Sequence, residues 1–600
     1  MNRTVTSPLG HRRGFVLTLG GLLVVAAWAG SFGGPFVFDD IAAVRENLTL
    51  RDWWKFSELL APPAGLSVSG RPVANASLAV SYALSGEQPW GYHAVNLALH
   101  LATAGLLVGV VRRTLRQPRL LEKFGAAGDE IALAVAAVWS LHPLQTATVT
   151  YVMQRTEGLA GFFAMTTLYC FLRGVEIERG GRGWRVCAIV ACALGMGSKE
   201  VMVVVPMAVF LYDRTWVAGN FAAAWRARKF FYSGLAATWL VLVVCLLAKG
   251  RNGSAGWDVG MSVASYALTQ AEAIWCYLRL AVWPAPLVFD YGAELSVNYA
   301  AVAGVVALIG ATAWAWVRRP LLGCLGFLFF AALAPSSSFV PVATQTIAEH
   351  RMYLPLAVLV TAVVLSGYAW IGKRSLWLWA LVALAGGVGT WVRNLDYRSE
   401  RAIWADTVAK RPGNARAHFN LGVAMSAGGD DAGARTEWTE TLRIEPTHVG
   451  ARAKLAESLA QDGRAEEALR YFEAAAQGGR SDGIFMNNWG SALLSTGRTA
   501  AAMEKFMAAQ ARLPKSAQVQ FNVGNALVAL GRGAEAIEAF RAALRLLPEY
   551  WEAHYNLGVA LSGAGEYAAA LAEFEAALRL APGDESARRN VTSLRAYLSK

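Results

Sequence analysis

Residues 514–548 read PKSAQVQFNVGNALVALGRGAEAIEAFRAALRLLP, a stretch bounded by two prolines that lie 34 residues apart. Prolines recur along the last third of the chain at gaps of 34 or twice 34 residues, namely Pro412, Pro446, Pro514, Pro548 and Pro582. Small residues keep the same period, at Gly422, Ala456, Gly490, Gly524 and Gly558, and aromatic residues follow at Trp438, Phe472, Phe506, Phe540 and Phe574. Small residues let two antiparallel helices approach closely, the aromatic fills the space between pairs, and proline ends the second helix. The period therefore predicts a solenoid of helix pairs.

This pattern resembles the tetratricopeptide repeat (TPR) along its whole period. It predicts five full repeats over about 415–582, a half repeat from Trp404 to Pro412 before them, and a charged capping helix over 584–599 after them. The resemblance implies a concave groove that binds a protein or peptide partner.

An asparagine recurs in the first helix of four repeats, two places before the small residue, where this family tends to face the groove. The four are Asn420, Asn488, Asn522 and Asn556, with Lys454 in the second repeat. An amide both donates and accepts, so such a row can hold an extended peptide backbone. The alternative is that these asparagines support the helix pair.

The rest of the chain has the composition of a membrane protein. Over the 600 residues 55% are hydrophobic and only 16% charged, and the apolar residues form long runs between about 13 and 392. We therefore predict an all-α fold, with a polytopic transmembrane helical bundle over 1–395 and a TPR α-solenoid over 396–600. Much of the net charge of +12 lies in short loops between apolar runs, which indicates a lipid bilayer and not nucleic acid as the partner.

A spanning helix needs roughly 20 apolar residues, and the chain offers about eleven such runs. They lie near 14–33, 91–111, 130–148, 158–172, 186–198, 201–212, 230–248, 299–317, 321–340, 354–372 and 376–392. The first run is predicted to be a retained helix and not a cleaved signal peptide. Charges and prolines interrupt the run 262–289, which is predicted to be interfacial or re-entrant. With this count the basic loop clusters share one side, which the positive-inside rule makes cytoplasmic, and the repeat domain lies on the other.

The first chemical candidate is the acidic pair Asp39-Asp40, directly after the first span. Two adjacent carboxylates at a membrane surface suit a general base and its orienting partner. The alternative is an acidic N-cap for a helix that begins near Ile41.

Further polar residues are predicted on the same outer face, where charge at membrane level is costly and therefore indicates function. They are His142, Arg155, Lys199, Glu200, Glu349, His350 and Arg351. Arginine binds phosphate as a fork and lysine as a point charge, so Arg155, Lys199 and Arg351 suit an anionic lipid phosphate. The alternative for each cation is interfacial snorkelling or an ion pair with a neighbouring glutamate.

No metal or cofactor motif is present in the sequence. His93 and His100 lie seven residues apart on the second span, without further clear ligands, and packing is the favoured interpretation. Paired-histidine zinc, dinucleotide-type glycine and Walker-type motifs are absent, and the six cysteines have no metal-ligand spacing. We expect no metal site, and whether a divalent metal assists the chemistry stays open.

The order of short motifs carries a second resemblance. Phe-Asp-Asp after the first span is followed by Gly70-Arg71-Pro72, Leu141-His142-Pro143, Ser198-Lys199-Glu200, Tyr212-Asp213-Arg214 and Glu349-His350-Arg351-Met352-Tyr353-Leu354-Pro355, and then by the repeats. This order resembles the transmembrane and TPR-containing O-mannosyltransferases and their bacterial relatives, of the GT-C class. The sequence departs from the animal members at Gln154-Arg155-Thr156-Glu157, where they tend to have Gly-Arg-Ala-Asp.

The resemblance implies a polyprenyl-phosphate sugar as donor and transfer to Ser or Thr of exported proteins outside a bacterial inner membrane. It implies that Asp39, with Asp40 second, is the catalytic base, and that His142, Glu200, Glu349 and His350 support the site. A non-catalytic scaffold for envelope, secretion or pilus assembly is the first alternative. A transporter or a polysaccharide polymerase or ligase is the second.

Overall fold

The computed structural model describes residues 8–177, 180–248, 262–292, 297–336 and 345–599, and in these ranges all regular secondary structure is helical. The chain divides into two compact units, Met1–Ala417 and His418–Lys600. This division lies after the predicted boundary at residue 395 because the helix Glu400–Lys410 packs within the first unit. The Lys410 ammonium, for example, donates a hydrogen bond of 2.9 Å to the Leu287 carbonyl.

The first unit is built of long helices joined by short ones. The long helices are Pro8–Trp28, Pro89–Leu115, Gly128–Ser140, Arg155–Glu176, Gly181–Met196, Phe221–Leu247, Val263–Val282, Tyr299–Arg318, Pro320–Ala334, Tyr353–Ile371 and Ser375–Asp396. The shorter helices are Asp39–Val44, Phe56–Leu60, Pro72–Ser85, Pro118–Phe124, Thr146–Val149, Val205–Tyr212 and Glu400–Lys410.

Several helices are long and apolar enough to cross a bilayer, and the protein is a membrane protein. In the described ranges there are five such segments, or six if one bent pair counts as a span. The five are Pro89–Leu115, Val152–Glu176, Phe221–Leu247, Tyr299–Arg318 and Glu349–Asp396. Large apolar side chains such as Trp370 and Trp377 point outward, 87% and 82% exposed, as lipid-facing residues do. The count of about eleven spans stays a prediction.

The predicted span 130–148 is wrong as a single helix, because the chain bends by 57° between Ser140 and Pro143. A continuous helix would need the Leu144 N–H to bond the Ser140 carbonyl. That N–H donates instead to His142 Nδ1 at 3.2 Å. The Ser140 carbonyl accepts from Trp28 Nε1 at 3.2 Å and from His100 Nε2 at 3.0 Å. Tertiary partners therefore replace the helical hydrogen bond.

Three other predicted segments can be compared with the structure one by one. The turn at Ser198-Lys199-Glu200 does separate two helices, Gly181–Met196 and Val205–Tyr212, through one 3₁₀ segment at 200–204. The run 262–289 contains an uninterrupted helix, Val263–Val282. The run 321–340 begins in the helix Pro320–Ala334, and its residues 337–340 lie outside the described ranges.

The repeat unit consists of helix pairs with the predicted period. The pairs are Ala415–Ala427 with Asp431–Ile444, Val449–Gln461 with Ala465–Gln477, Gly483–Ser495 with Thr499–Arg512, Ala517–Ala529 with Gly533–Leu546, and Trp551–Gly563 with Tyr567–Leu580; Glu585–Leu598 follows them. A Cβ placed on Gly490 or Gly524 would lie 2.6 or 2.5 Å from the ring of Phe506 or Phe540. This close approach is the reason for the periodic small residue.

Gly524→Ala is therefore expected to destabilise its repeat by about 1–3 kcal/mol, because the added methyl group has no room beside Phe540. Hydrogen exchange of the amides in 517–546, measured on the full chain, should accelerate roughly 5- to 150-fold. Gly563→Ala is the matched control, since a Cβ there meets nothing within 4 Å. Equal exchange rates in both variants would contradict the packing role of Gly524.

Candidate active site

The acidic pair lies in a tight turn that opens the helix Asp39–Val44. The Asp40 N–H donates to the Val37 carbonyl at 3.0 Å, and Phe38 has φ 50° and ψ −114°. These angles belong to the first central position of a type II′ turn, which favours glycine. The helix begins two residues before the predicted start near Ile41, so both carboxylates lie in its first turn.

The Asp40 carboxylate is buried and bound to backbone. Oδ1 accepts the Met153 N–H at 2.6 Å, Oδ2 accepts the Val37 N–H at 3.1 Å, and the residue is 1% exposed. Burial raises the pKa of Asp40 well above its ordinary value, and the two backbone N–H groups oppose that shift. These contacts favour a structural role for Asp40. It is not the N-cap considered from the sequence, because the helix begins at Asp39 and its N-cap residue is Phe38, which has no side-chain cap hydrogen bond.

The Asp39 side chain is partly exposed, whereas that of Asp40 is buried. Its carboxylate bonds with the Tyr151 hydroxyl, which also accepts the Asp39 N–H at 3.3 Å. Burial raises the pKa of Asp39, while Tyr151 and the charges of Arg416 and Arg71 oppose the rise. A carboxylate that is held by one hydroxyl and remains reachable can accept a proton.

An ion pair between Arg416 and Asp290 lies beside Asp39. Arg416 binds the Asp290 carboxylate through two hydrogen bonds, of 2.5 and 2.7 Å, and both residues act electrostatically on Asp39. A bidentate pair of this kind is geometrically specific.

Four basic residues, which we call the cation cluster, come together near the acid: Arg71, Lys199, His350 and Arg351. Lys199 Nζ lies 2.8 Å from Glu157 Oε1, and Arg71 Nη2 lies 3.2 Å from Glu200 Oε2. His350 interacts electrostatically with the other three members. Burial lowers the pKa of Lys199, and Glu157 opposes that shift. Arg71 acts on Asp39 as well, so it links the cluster to the acid.

Within the cluster, Arg351 is largely committed to the protein. Its guanidinium donates to the Thr346 carbonyl at 2.9 Å and to the Gln345 carbonyl at 2.8 Å, with longer contacts to Tyr266 and Gln270. Lys199 and Arg71 are the more accessible cations of the cluster, with side chains 13% and 22% exposed.

The structure does not bring Arg155 to the cation cluster as a free cation, contrary to the prediction. Its guanidinium donates four hydrogen bonds of 2.6–2.9 Å to protein oxygens and is 1% exposed. The acceptors are Asn96 Oδ1, the Ser77 carbonyl, Ser81 Oγ and the Tyr92 carbonyl. Arg155 thus joins three helices, and its donors are not available to a phosphate.

Two other predicted supporting residues have structural contacts. His142 Nδ1 accepts the Leu144 N–H at the bend described above, and Nε2 donates to the Ala281 carbonyl of the helix Val263–Val282 at 3.2 Å. Glu349 accepts from the Val288 N–H at 2.6 Å and from the Tyr291 hydroxyl at 2.9 Å. Glu200 and His350 lie in or beside the cation cluster.

An apolar groove of about 160 Å³ runs between the membrane helices. Its lining includes Val204, Val205 and Leu354, which follow Lys199-Glu200 and Arg351 closely along the chain, as well as Thr114, Tyr212 and Trp216. The four residues of the cation cluster are not part of this lining.

The asparagine row in the repeat unit bonds mainly to other asparagines. Asn522 Nδ2 donates to Asn487 Oδ1 at 2.8 Å, and Asn556 Nδ2 donates to Asn525 Oδ1 at 2.7 Å. These bonds join first helices of neighbouring repeats. They favour the supporting role for Asn522 and Asn556, while Asn420 and Asn488 are half-buried.

Two family models match the chain. Residues 69–248 match the family described as dolichyl-phosphate-mannose-protein mannosyltransferase, and residues 453–517 and 522–585 match the tetratricopeptide repeat. The resemblance to TPR-containing O-mannosyltransferases is confirmed. The first matched stretch contains Arg71, Tyr151, Glu157 and Lys199 of the site.

Proteins that are named as protein O-mannosyl-transferases are similar to this chain. The chain is 23% identical to protein O-mannosyl-transferase Tmtc3 of Drosophila melanogaster, over 69% of this chain and 53% of that protein. It is 21% identical to protein O-mannosyl-transferase F38B6.6 of Caenorhabditis elegans, over 71% and 62%. The chain thus spans between half and two thirds of these relatives. Among solved structures, YrrB, a TPR protein, is 19% identical over 31% of this chain and 96% of its own, with a TM-score of 0.29.

Some residues of this site were not predicted as site residues. Arg71 belongs to the Gly70-Arg71-Pro72 motif, and an arginine directly before a helix that starts at proline was the available signal. Tyr151, Asp290 and Arg416 stand in no recognisable pattern. Within the described ranges, no three His, Cys, Asp or Glu side chains gather as a metal site would require.

Proposed function

We propose that this chain is an integral-membrane glycosyltransferase that moves a sugar from a polyprenyl-phosphate donor to Ser or Thr of exported proteins. The repeat domain captures the acceptor on the periplasmic side of a bacterial inner membrane. The observation that carries the proposal is the partly exposed Asp39 carboxylate, on which Arg71 of the cation cluster acts electrostatically. An apolar groove, lined in part by residues that follow the cluster closely along the chain, supports it. The names of the relatives favour mannose as the sugar.

Each part of the site has a chemical task in this proposal. The apolar groove takes the isoprenoid chain, and Lys199 and Arg71 hold the donor phosphate. Asp39 removes the proton of the acceptor hydroxyl, whose oxygen forms a bond to the anomeric carbon. The bond from that carbon to the phosphate oxygen breaks, and polyprenyl phosphate leaves with its charge held by the cluster. The proton ends on Asp39, and the reaction balances without a cofactor.

The direct test is transfer by the purified full-length chain in phospholipid vesicles. Radiolabelled polyprenyl-phosphate mannose and polyprenyl-phosphate glucose are offered separately with Ser- and Thr-containing peptides, with and without EDTA. Label should appear on the peptide from one donor and be released by alkaline β-elimination, and mannose 1-phosphate should not replace the lipid donor. A chain that binds peptides but transfers no sugar from either donor would be the scaffold considered above.

A further inference from the structure

The turn that carries Asp39 is strained at the residue before it. Phe38 is the only non-glycine residue with positive φ in the described ranges, and a phenylalanine at φ 50°, ψ −114° adopts this conformation only when its surroundings hold it. An observed outlier of this kind beside a reactive carboxylate points to a function for whatever holds it.

Three side chains hold the backbone of this turn. The Val37 N–H donates to the Asp40 carboxylate at 3.1 Å and the Asp39 N–H donates to the Tyr151 hydroxyl at 3.3 Å. The Phe38 N–H faces the Glu400 carboxylate and favours its charged form. Of the three side chains, Glu400 acts on the strained residue itself.

Glu400 is well placed to fix Phe38 because its helix contacts that residue twice. Glu400 and Trp404 are four residues apart, on one face of the helix Glu400–Lys410. The Trp404 ring packs edge to face with the Phe38 ring, with centroids 5.6 Å apart. The same helix is anchored by Asp406, which accepts from Arg393 at 2.7 Å.

We propose that Glu400 is a positioning residue, which holds the Val37–Asp40 turn so that the Asp39 carboxylate points at the acceptor hydroxyl. This inference rests on the proposed transferase function. Glu400 does not react; it fixes the backbone conformation from which Asp39 does. Without it, the Phe38 backbone relaxes and the carboxylate moves away from the cation cluster.

The experiment compares Glu400→Ala with Glu400→Gln in the full-length chain. The glutamine carbonyl can still accept the Phe38 N–H, so Glu400→Gln should stay within about threefold of wild type. Glu400→Ala should lower kcat on the order of 100-fold, as misplacement of a reacting group does, with the donor KM within about twofold. Hydrogen exchange of the peptide containing Phe38 should accelerate only in Glu400→Ala. Glu130→Ala, an exposed first-turn glutamate, is the matched control.

Each outcome decides between the two proposals. Absence of transfer by the wild-type chain would overturn the proposed function and the positioning role with it. Wild-type kcat in Glu400→Ala would overturn only the positioning role, as would equal losses in Glu400→Ala and Glu400→Gln. If Glu400→Ala fails to fold, the test moves to the Phe38→Gly background, because glycine adopts this turn conformation without strain. There, adding Glu400→Ala should lower kcat by less than the roughly 100-fold loss expected with Phe38 present. A loss of that full size would overturn the positioning role.

Discussion

Asp39→Asn is expected to lower the turnover of sugar transfer by about 10²–10⁴-fold, the usual contribution of a positioned general base. An asparagine keeps the size of the side chain but cannot take the proton from the acceptor hydroxyl. Because Asp39 is partly exposed and bonded only to Tyr151 among neutral side chains, the unfolding temperature should change little. Transfer and thermal unfolding are measured on the same preparations of full-length protein.

Asp40→Asn is the matched control. We expect it to lower stability, whereas Asp39→Asn lowers turnover. The Asp40 oxygens accept N–H groups from Met153 and Val37 in a buried site. Asparagine offers one oxygen, and its amide NH₂ then faces a backbone N–H. An unsatisfied buried group costs about 1–3 kcal/mol, so this variant should lose stability. A stable but inactive Asp40→Asn beside a fully active Asp39→Asn would make Asp40 the base instead.

The pH dependence of transfer tests independently whether Asp39 is the catalytic base. Burial raises the pKa of Asp39 above its ordinary value, and only the deprotonated carboxylate can accept the proton. Transfer by the wild-type chain should therefore fall on acidification, at a higher pH than an ordinary aspartate would require. The residual activity of Asp39→Asn should lack this acid limb.

The architecture was predictable because it depends on local periodicity. The 34-residue period repeats five times, and the four glycines of the small-residue row each meet their aromatic partner as expected, as Gly524 meets Phe540. Long apolar runs likewise predict membrane helices from composition alone. The bend after Ser140 has a local signal in Pro143, which lacks an N–H and disfavours a helical conformation at His142. Its tertiary partners Trp28 and His100 were not predictable, because they are distant in sequence.

The site was predictable by residue type but not by role. Arg155 and Arg71 carry the same charge, and only their contacts distinguish a fully bonded arginine from one at an accessible cluster. Asp39 and Asp40 are adjacent and chemically identical, so the sequence could rank them only by resemblance. Backbone donors from Val37 and Met153 separate the two carboxylates, and Met153 is more than a hundred residues away.

Lys199→Met is expected to reduce transfer by about 10²–10³-fold, as loss of a group that stabilises developing charge does. Lys199 is 2.8 Å from Glu157, and their side chains are only 13% and 8% exposed. The variant should therefore also unfold more easily, because breaking a buried ion pair by removing one partner costs about 3–5 kcal/mol. A loss of transfer in this single variant can therefore come from lower stability or from the missing charge.

The double variant Lys199→Met/Glu157→Gln separates the two contributions. It leaves no uncompensated charge at this position, and replacing both members of a buried pair is often neutral for stability. The unfolding temperature should return towards wild type while transfer stays low, because the donor phosphate has lost its point charge and Arg71 alone cannot replace it. Recovery of transfer in the double variant would assign Lys199 to a structural ion pair only. Donor affinity, measured with the non-transferable polyprenyl phosphate, should follow transfer and not stability.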